Sequence, residues 1–382
     1  MMTYDETVAV CALNKIFGYH PILAAQLVQQ TGSALSLFQE PLPERTGHPE
    51  LFSQLNPSQL EWAAGELERV QRGGFRFLTL WDDDYPAPLK DCPDPPLGLY
   101  LNGSTPPAGI FGFRPMIAFV GTRDLSPYGK AWCQKLVMAL AQARVQPAIV
   151  RGLAFGADGV AHQTALDCGL PTIGVMATGI DAVYPWQHER LAMSIVQSPG
   201  SGLLTDYPLD TSPQALNFLR RNRIIAGLVS AVVVVESKTK GGSLMTARYA
   251  NEYARDVYAL PGRADDLRSA GCNSLIHEHM ADIITTPEQL VLSLGLGGPV
   301  RRARKTAEDQ LLKALEASYG ASSELIPLAL AIREHRGAGP EELTALVNQP
   351  FPAVLQGIGR LEADGYVTTD LLRRCSLAAQ FS

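Results

Sequence analysis

Cysteine is scarce in this chain, and none of it is spaced for metal or disulfide chemistry. The six cysteines, Cys11, Cys92, Cys133, Cys168, Cys272 and Cys375, include no CxxC pair, and Cys11, Cys133 and Cys168 fall in apolar helical patterns. Zinc sites and disulfide frameworks are therefore not expected; small buried hydrophobes kept reduced are. No apolar run approaches the ~18 residues a transmembrane helix needs. The opening MMTYDETVAV lacks a basic region followed by an apolar run, so no signal peptide is expected and the protein is placed in the cytoplasm, away from membranes. Also missing are GxSxG, HExxH and GxxxxGK[ST]. Paired carboxylates, which general acid–base work requires, are absent from the glycine-rich loops. These absences point to binding rather than catalysis, with no metal and no cofactor.

What is present is ordinary globular composition: 382 residues, 46% hydrophobic and 18% charged, enough for two or three domains. The net charge of −6 argues against nucleic acid only if charge is spread evenly. It is not. Between Asn217 and Arg248 stand Arg220, Arg221, Arg223, Lys238, Lys240 and Arg248 against the single acid Glu236.

Three regions and a linker are expected. Residues 1–72 read as helices around the turn FGYHP, a sterile-alpha-motif or helix-hairpin-helix layout suited to packing or self-association. Residues 73–297 alternate strand and helix patterns. The expected strands are FRFLTLW (75–81), MIAFVG (116–121), PAIVRG (147–152), TIGVMA (172–177), GLLTDY (202–207), AVVVVE (231–236) and VYALPG (257–262), with a late strand after GCNSLIHEHM. Continuous Val/Ile runs suit strands buried on both faces, so the fold class is α/β: a Rossmann-like, doubly wound, mostly parallel sheet. Its ligand belongs beyond the carboxyl ends of the strands. Residues 298–307, with Arg301, Arg302, Arg304 and Lys305, form a linker. Residues 308–382 have a winged-helix layout. Its second helix carries Gln356 and Arg360 beside Glu362 and Asp364, which favours a protein partner, while Arg373 and Arg374 keep DNA open.

Four strand-end loops hold the candidate binding residues. In VGTRDLSPYG, Gly121 allows close backbone approach, Ser126 or Asp124 can cap the next helix, and Arg123 extends toward the site. In RGLAFGADGVAH, Gly152, Gly156 and Gly159 relieve a strand-to-helix turn like a phosphate cradle, though not as GxGxxG; His162 reads as structural. In NFLRRNRIIAGL, Phe218 offers a stacking face beside Arg220, Arg221, Asn222 and Arg223. Aromatic stacking with guanidinium–phosphate contacts is what single-strand binding requires. In ESKTKGGSLMTA, Gly241, Gly242 and Ser243 lie between a buried strand and a helix, so their N–H groups can point at a phosphate, and Lys238 and Lys240 add charge.

Taken together these motifs resemble the DNA-processing protein A (DprA/Smf) family. The matching pieces run in family order over about 75 to 285: Tyr85–Pro86, Pro95–Pro96 before LYLNG, VGTR with Tyr128–Gly129, GLAFGAD with GVAH, ATGIDAVYP, FLRRNRIIAGL, GGSLMTA and LPG. The resemblance implies single-stranded DNA in the Rossmann pocket, a homodimer, and loading of the RecA recombinase during natural transformation. It implies Arg123, Phe218, Arg221, Asn222 and Arg223 as the pocket, with Gly242 and Ser243 on phosphate. The chain departs from the family where DTSPQALN supplies no base before Phe218, and at Leu219 for Pro, Arg151 for Ser and GGSL for SGSL. Two other readings compete. One is a nucleotide-processing enzyme of the lysine-decarboxylase-like type, whose PGGxGTxxE motif GGSLMTARYANE echoes without the Glu three residues after Thr246. The other is a regulator that binds duplex DNA through the winged helix.

Overall fold

In the computed structural model, residues 3–39, 48–112, 114–297, 311–320, 322–335, 337–370 and 374–378 are described. The expected linker at 298–307, with its four cations, and Arg373 lie outside them.

The apolar runs form one nine-stranded sheet: β1 (Arg76–Thr79), β2 (Gly98–Asn102), β3 (Met116–Gly121), β4 (Ala148–Arg151), β5 (Thr172–Val175), β6 (Gly202–Thr205), β7 (Ala231–Glu236), β8 (Asp256–Ala259) and β9 (Asp282–Ile283). Their order is β1-β2-β6-β5-β4-β3-β7-β8-β9. From β6 to β9 every neighbouring pair is parallel; β2 joins β6, and β1 joins β2, antiparallel. Successive side chains of a strand point to opposite faces. Ala118, Val120, Val232 and Val234 accordingly enter one core, and Ile117, Phe119, Val233 and Val235 the other. Helices cover both faces, which is why β7 is buried at every position and reads as an unbroken Val run.

From β3 the chain steps outward through β4 and β5 to β6. Helix Ala215–Leu228 then carries it back to β7, which pairs with β3 on the opposite side from β4. That reversal opens a crevice beyond the carboxyl ends of β3 and β7, where open α/β sheets bind ligands.

Strand β2 is absent from the sequence pattern because GLYLN is short and follows Pro95–Pro96. Its glycine has a steric reason: a Cβ on Gly98 would lie 2.2 Å from the Phe77 ring, which packs across it. Helices Tyr4–Ile16, Pro21–Thr31 and Pro57–Arg72 pack on the same core as β1 and β2. Buried Asn14 ties the first of them to the sheet: its Nδ2 donates to the Asp206 carbonyl at 2.9 Å, and its Oδ1 accepts from Gly98 N–H at 3.1 Å.

Two compact units result, Met1–Gly298 and Pro299–Ser382. In the second, residues 311–319 and helices Leu325–Glu334, Pro340–Val347 and Phe351–Ala363 enclose Leu315, Leu328, Ile332, Leu343, Val354 and Leu361. An antiparallel pair, β10 (Val367–Thr369) and β11 (Cys375–Leu377), follows. No disulfide joins any of the six cysteines, and five of them are buried. Among the described residues no His/Cys/Asp/Glu cluster could hold a metal, and no helix is long and apolar enough to cross a membrane.

Candidate nucleic-acid interface

Both strands at the switch point end in loops locked to each other. A Cβ on Gly121 would meet the Ala157 Cβ at 2.8 Å, so only glycine fits between β3 and the helix behind it. Thr122 N–H donates to the Glu236 carbonyl at 2.8 Å. Ser126 caps helix Pro127–Ala141, its Oγ accepting from Gly129 N–H at 3.0 Å. The fully buried carboxylate of Glu236, at the end of β7, accepts from Ser126 N–H at 2.9 Å and from the Ser126 hydroxyl. In dinucleotide-binding folds the pyrophosphate rests on the N-terminus of this first helix. Here the protein's own carboxylate fills that position. Ser126 is therefore a structural cap, committed to Glu236, and does not line the crevice.

The second helix N-terminus is open. Helix Gly242–Glu252 follows β7, and its N-cap Gly241 brings no side chain to the first N–H groups. A Cβ built on Gly242 meets nothing within 4 Å. Ser243 Oγ donates to Ser237 Oγ at 2.8 Å, and Lys238 and Lys240 stand exposed on the same loop.

The crossover helix Ala215–Leu228 forms the remaining wall. At 3.6 residues per turn, positions 218, 221, 222 and 225 share a face. Phe218, Arg221, Asn222 and Ile225 accordingly line the crevice. Arg220 and Arg223 do not, although the sequence groups them with Arg221. Arg220 lies 3.5 Å from the Tyr19 ring centroid and donates to the Gly18 carbonyl at 2.9 Å. Arg223 is buried in an ion pair with Asp206 at 2.9 Å, with Asp94 at 3.8 Å. Both arginines fasten the core to its surroundings and face away from the crevice.

The crevice itself is a cavity of about 570 Å³. Among the described residues its charged lining is Arg123, Arg151, Arg221, Lys238 and Lys240 against Asp158 alone. Arg123 is exposed and its guanidinium lies 5.3 Å from the Phe218 ring centroid. Arg221 is buried at the floor, donating to the Val175 carbonyl. Burial pushes its guanidinium down to about 10; Asp158 opposes that shift and neighbouring Arg151 reinforces it. Arg151 is ion-paired with Asp158. Two buried guanidiniums thus share one carboxylate, an excess of positive charge that an entering anion would offset.

Gly152 and Gly156 build this floor rather than line it. A Cβ on Gly152 would lie 2.6 Å from both an Arg221 nitrogen and an Asp158 oxygen. Gly156 has φ +73°, and a Cβ there would lie 2.3 Å from the Thr122 carbonyl. Buried His162 holds the Gly152 carbonyl with Nε2 at 2.6 Å, its Nδ1 facing the Thr172 hydroxyl at 2.7 Å. Lys238, read from the sequence as added charge beside Lys240, lines the crevice, and so do Ser237 and Thr246, which sequence reasoning left out of the site. The signal was the segment ESKTKGGSLMTA, which holds both of them with Lys240 and Gly242.

Three comparisons bear on this arrangement. The family model for DNA recombination-mediator protein A matches residues 76–295. Protein Smf of Synechocystis is 41% identical over 307 residues, 77% of this chain and 74% of that protein. Protein Smf of Escherichia coli is 40% identical over 228 residues, 60% of this chain and 59% of its own length. Among solved structures, DNA processing protein A of Streptococcus pneumoniae matches at 29% identity and TM-score 0.59, covering 76% of this chain and 98% of that one. The Helicobacter pylori protein, solved for its single-stranded DNA binding mode, matches at 29% identity and TM-score 0.51 over 58% of this chain and 95% of its own. With a family match over the whole parallel sheet and relatives of this identity, the chain belongs to the DNA recombination-mediator protein A (DprA/Smf) family.

Proposed function

We propose that this chain binds single-stranded DNA in the crevice beyond β3 and β7, without catalysing a reaction on it, and delivers the strand to the RecA recombinase. The observation that carries the reading is the crevice lining: five cations to one acid, beside an uncapped helix N-terminus and the Phe218 ring. Arg123, Arg221, Lys238 and Lys240 hold phosphates, with the N–H groups at Gly242 and Ser243 completing the contact. Phe218 stacks a base, and Asn222 stands beside it. Such a surface grips any sequence, because every base has a π-face. A strand protected in this way serves recombination of incoming DNA, a cytoplasmic task, and the working form in this reading is a homodimer.

The C-terminal unit is a winged helix in this reading, supported by its helices followed by the β10–β11 hairpin. A protein partner suits it better than DNA, since Arg360 lies 5.3 Å from the Tyr319 ring and Glu362 is committed to Thr369. The helical module at 1–72 serves packing or self-association.

The enzyme alternative would need a carboxylate free in the crevice. Asp158 is engaged by Arg151, and the position three residues after Thr246 is Tyr249. Release of free base from nucleoside monophosphates would favour that alternative.

A salt titration of oligonucleotide affinity tests the main reading. Removing one phosphate-holding cation, as in Arg123→Ala, is expected to flatten the slope of log K against log salt by ~0.7. Phe218→Ala is expected to cost about 1–3 kcal/mol of binding. Wild-type affinity and slope in both variants would overturn the assignment of the crevice.

A further inference from the structure

Beside the crevice lies a second cavity, of about 380 Å³, lined by Arg123, Tyr184, Pro213, Ala215, Phe218 and Leu219. Arg123, Phe218 and Leu219 belong to both cavities. The Phe218 ring is the partition: Arg123 approaches it at 5.3 Å and Tyr184 at 5.6 Å between centroids, the two rings inclined at 59°. The two cavities differ in chemistry. Among the described residues the first is lined by five cations, whereas the second has Arg123 as its one charged residue and other walls that are aromatic, aliphatic or proline. Tyr184 is 47% exposed and Leu219 45%, so apolar surface faces solvent at the edge of a cationic site.

We propose that this second cavity is a base-stacking subsite, in which Tyr184 receives the nucleotide next to the one stacked on Phe218. The proposal rests on the single-strand reading above and extends the footprint past the crevice. Phosphates need cations or N–H groups, and this cavity offers only Arg123 at its mouth. A base needs flat apolar surface, which Tyr184, Pro213 and Leu219 supply. Arg123, on the partition, can hold the phosphate joining the two nucleotides while each base turns to its own side. Stacking of this kind tolerates all four bases and contributes enough per base to change affinity about tenfold.

The test uses the full chain and oligothymidylates of increasing length, read by fluorescence anisotropy. Tyr184→Ala is expected to bind the shortest strands like wild type and to lose about tenfold on strands long enough to enter the second cavity, while Tyr184→Phe keeps wild-type affinity. An independent measurement needs no variant: one abasic unit moved along a fixed-length strand should weaken wild-type binding about tenfold at two adjacent positions. The Tyr184→Ala protein should then lose sensitivity at one of them. A single sensitive position, or Tyr184→Ala matching wild type at every length, overturns the subsite and leaves the crevice standing. Failure of the wild type to bind any of the strands overturns the single-strand reading itself.

Discussion

Arg221 and Arg223 are two residues apart in sequence and belong to different parts of the molecule, because two steps along an α-helix turn the side chain to the opposite face. Arg221 faces a crevice with an excess of positive charge; Arg223 faces Asp206 and Asp94 in the interior. Removing one partner of a buried pair leaves the other unpaired, at a cost of roughly 3–5 kcal/mol. Arg223→Ala is therefore expected to lower the urea midpoint markedly while the protein that remains folded binds DNA normally. A variant with wild-type stability and lost binding would move Arg223 into the site. His162 makes a pH-dependent contribution of known sign. Burial lowers its imidazole from the ordinary 6.5 to about 4, so the folded state holds it neutral. Between those values the unfolded chain takes up the proton and the folded one does not. The stability contribution is complete above pH 6.5 and is lost as pH falls, about 2 kcal/mol of it by pH 5. Urea melts at pH 7 and pH 5 should show that loss, and His162→Leu should show a flatter dependence. At this scale the sequence displayed which residue types gather around the crevice, and Arg123, Phe218 and Lys240 could be named from it. The division of three consecutive-looking arginines between two faces could not, because it depends on the phase of a helix whose start the sequence left open.

Two helix N-termini meet the end of β7, and their different treatment shapes the crevice. The helix after β3 is closed by Ser126 and by Glu236, residues 110 positions apart whose meeting only the parallel pairing of β3 and β7 brings about. No local motif announces that contact. The helix after β7 is open, and Gly242 marks its entrance. Because a Cβ there touches no protein atom, Gly242→Ala is expected to leave the melting temperature unchanged and to weaken oligonucleotide binding by obstructing what enters. A melting temperature lowered along with affinity would mean that the glycine serves the fold. The strands of the parallel sheet were legible at this scale, since burial on both faces demands the apolar runs that the sequence shows. β2 was hidden because its five residues, Gly98–Asn102, gain their strand character from pairing with β1 and β6.

For the whole molecule, a net charge of −6 coexists with a crevice lined by four more positive charges than negative ones. Such a molecule repels a polyanion over most of its surface and attracts it at one place, so binding should be strongly weakened by salt. The unit Met1–Gly298 holds both faces of the sheet, the apolar cores packed on them and every residue of the proposed crevice. Residues 1–297 alone are therefore expected to fold and to retain most of the single-strand affinity. The alternation of strand and helix made the central architecture legible, whereas the partner of the C-terminal unit is not written in so short a helix–hairpin pattern. The most direct measurement compares a labelled single strand with its duplex of equal length, titrated at matched salt with the full chain and with residues 1–297. The expected result is binding at least about tenfold tighter to the single strand for both proteins, since stacking on Phe218 requires unpaired bases. Equal or tighter binding to the duplex, lost when the residues after 297 are removed, would contradict the crevice and place DNA recognition on the C-terminal unit.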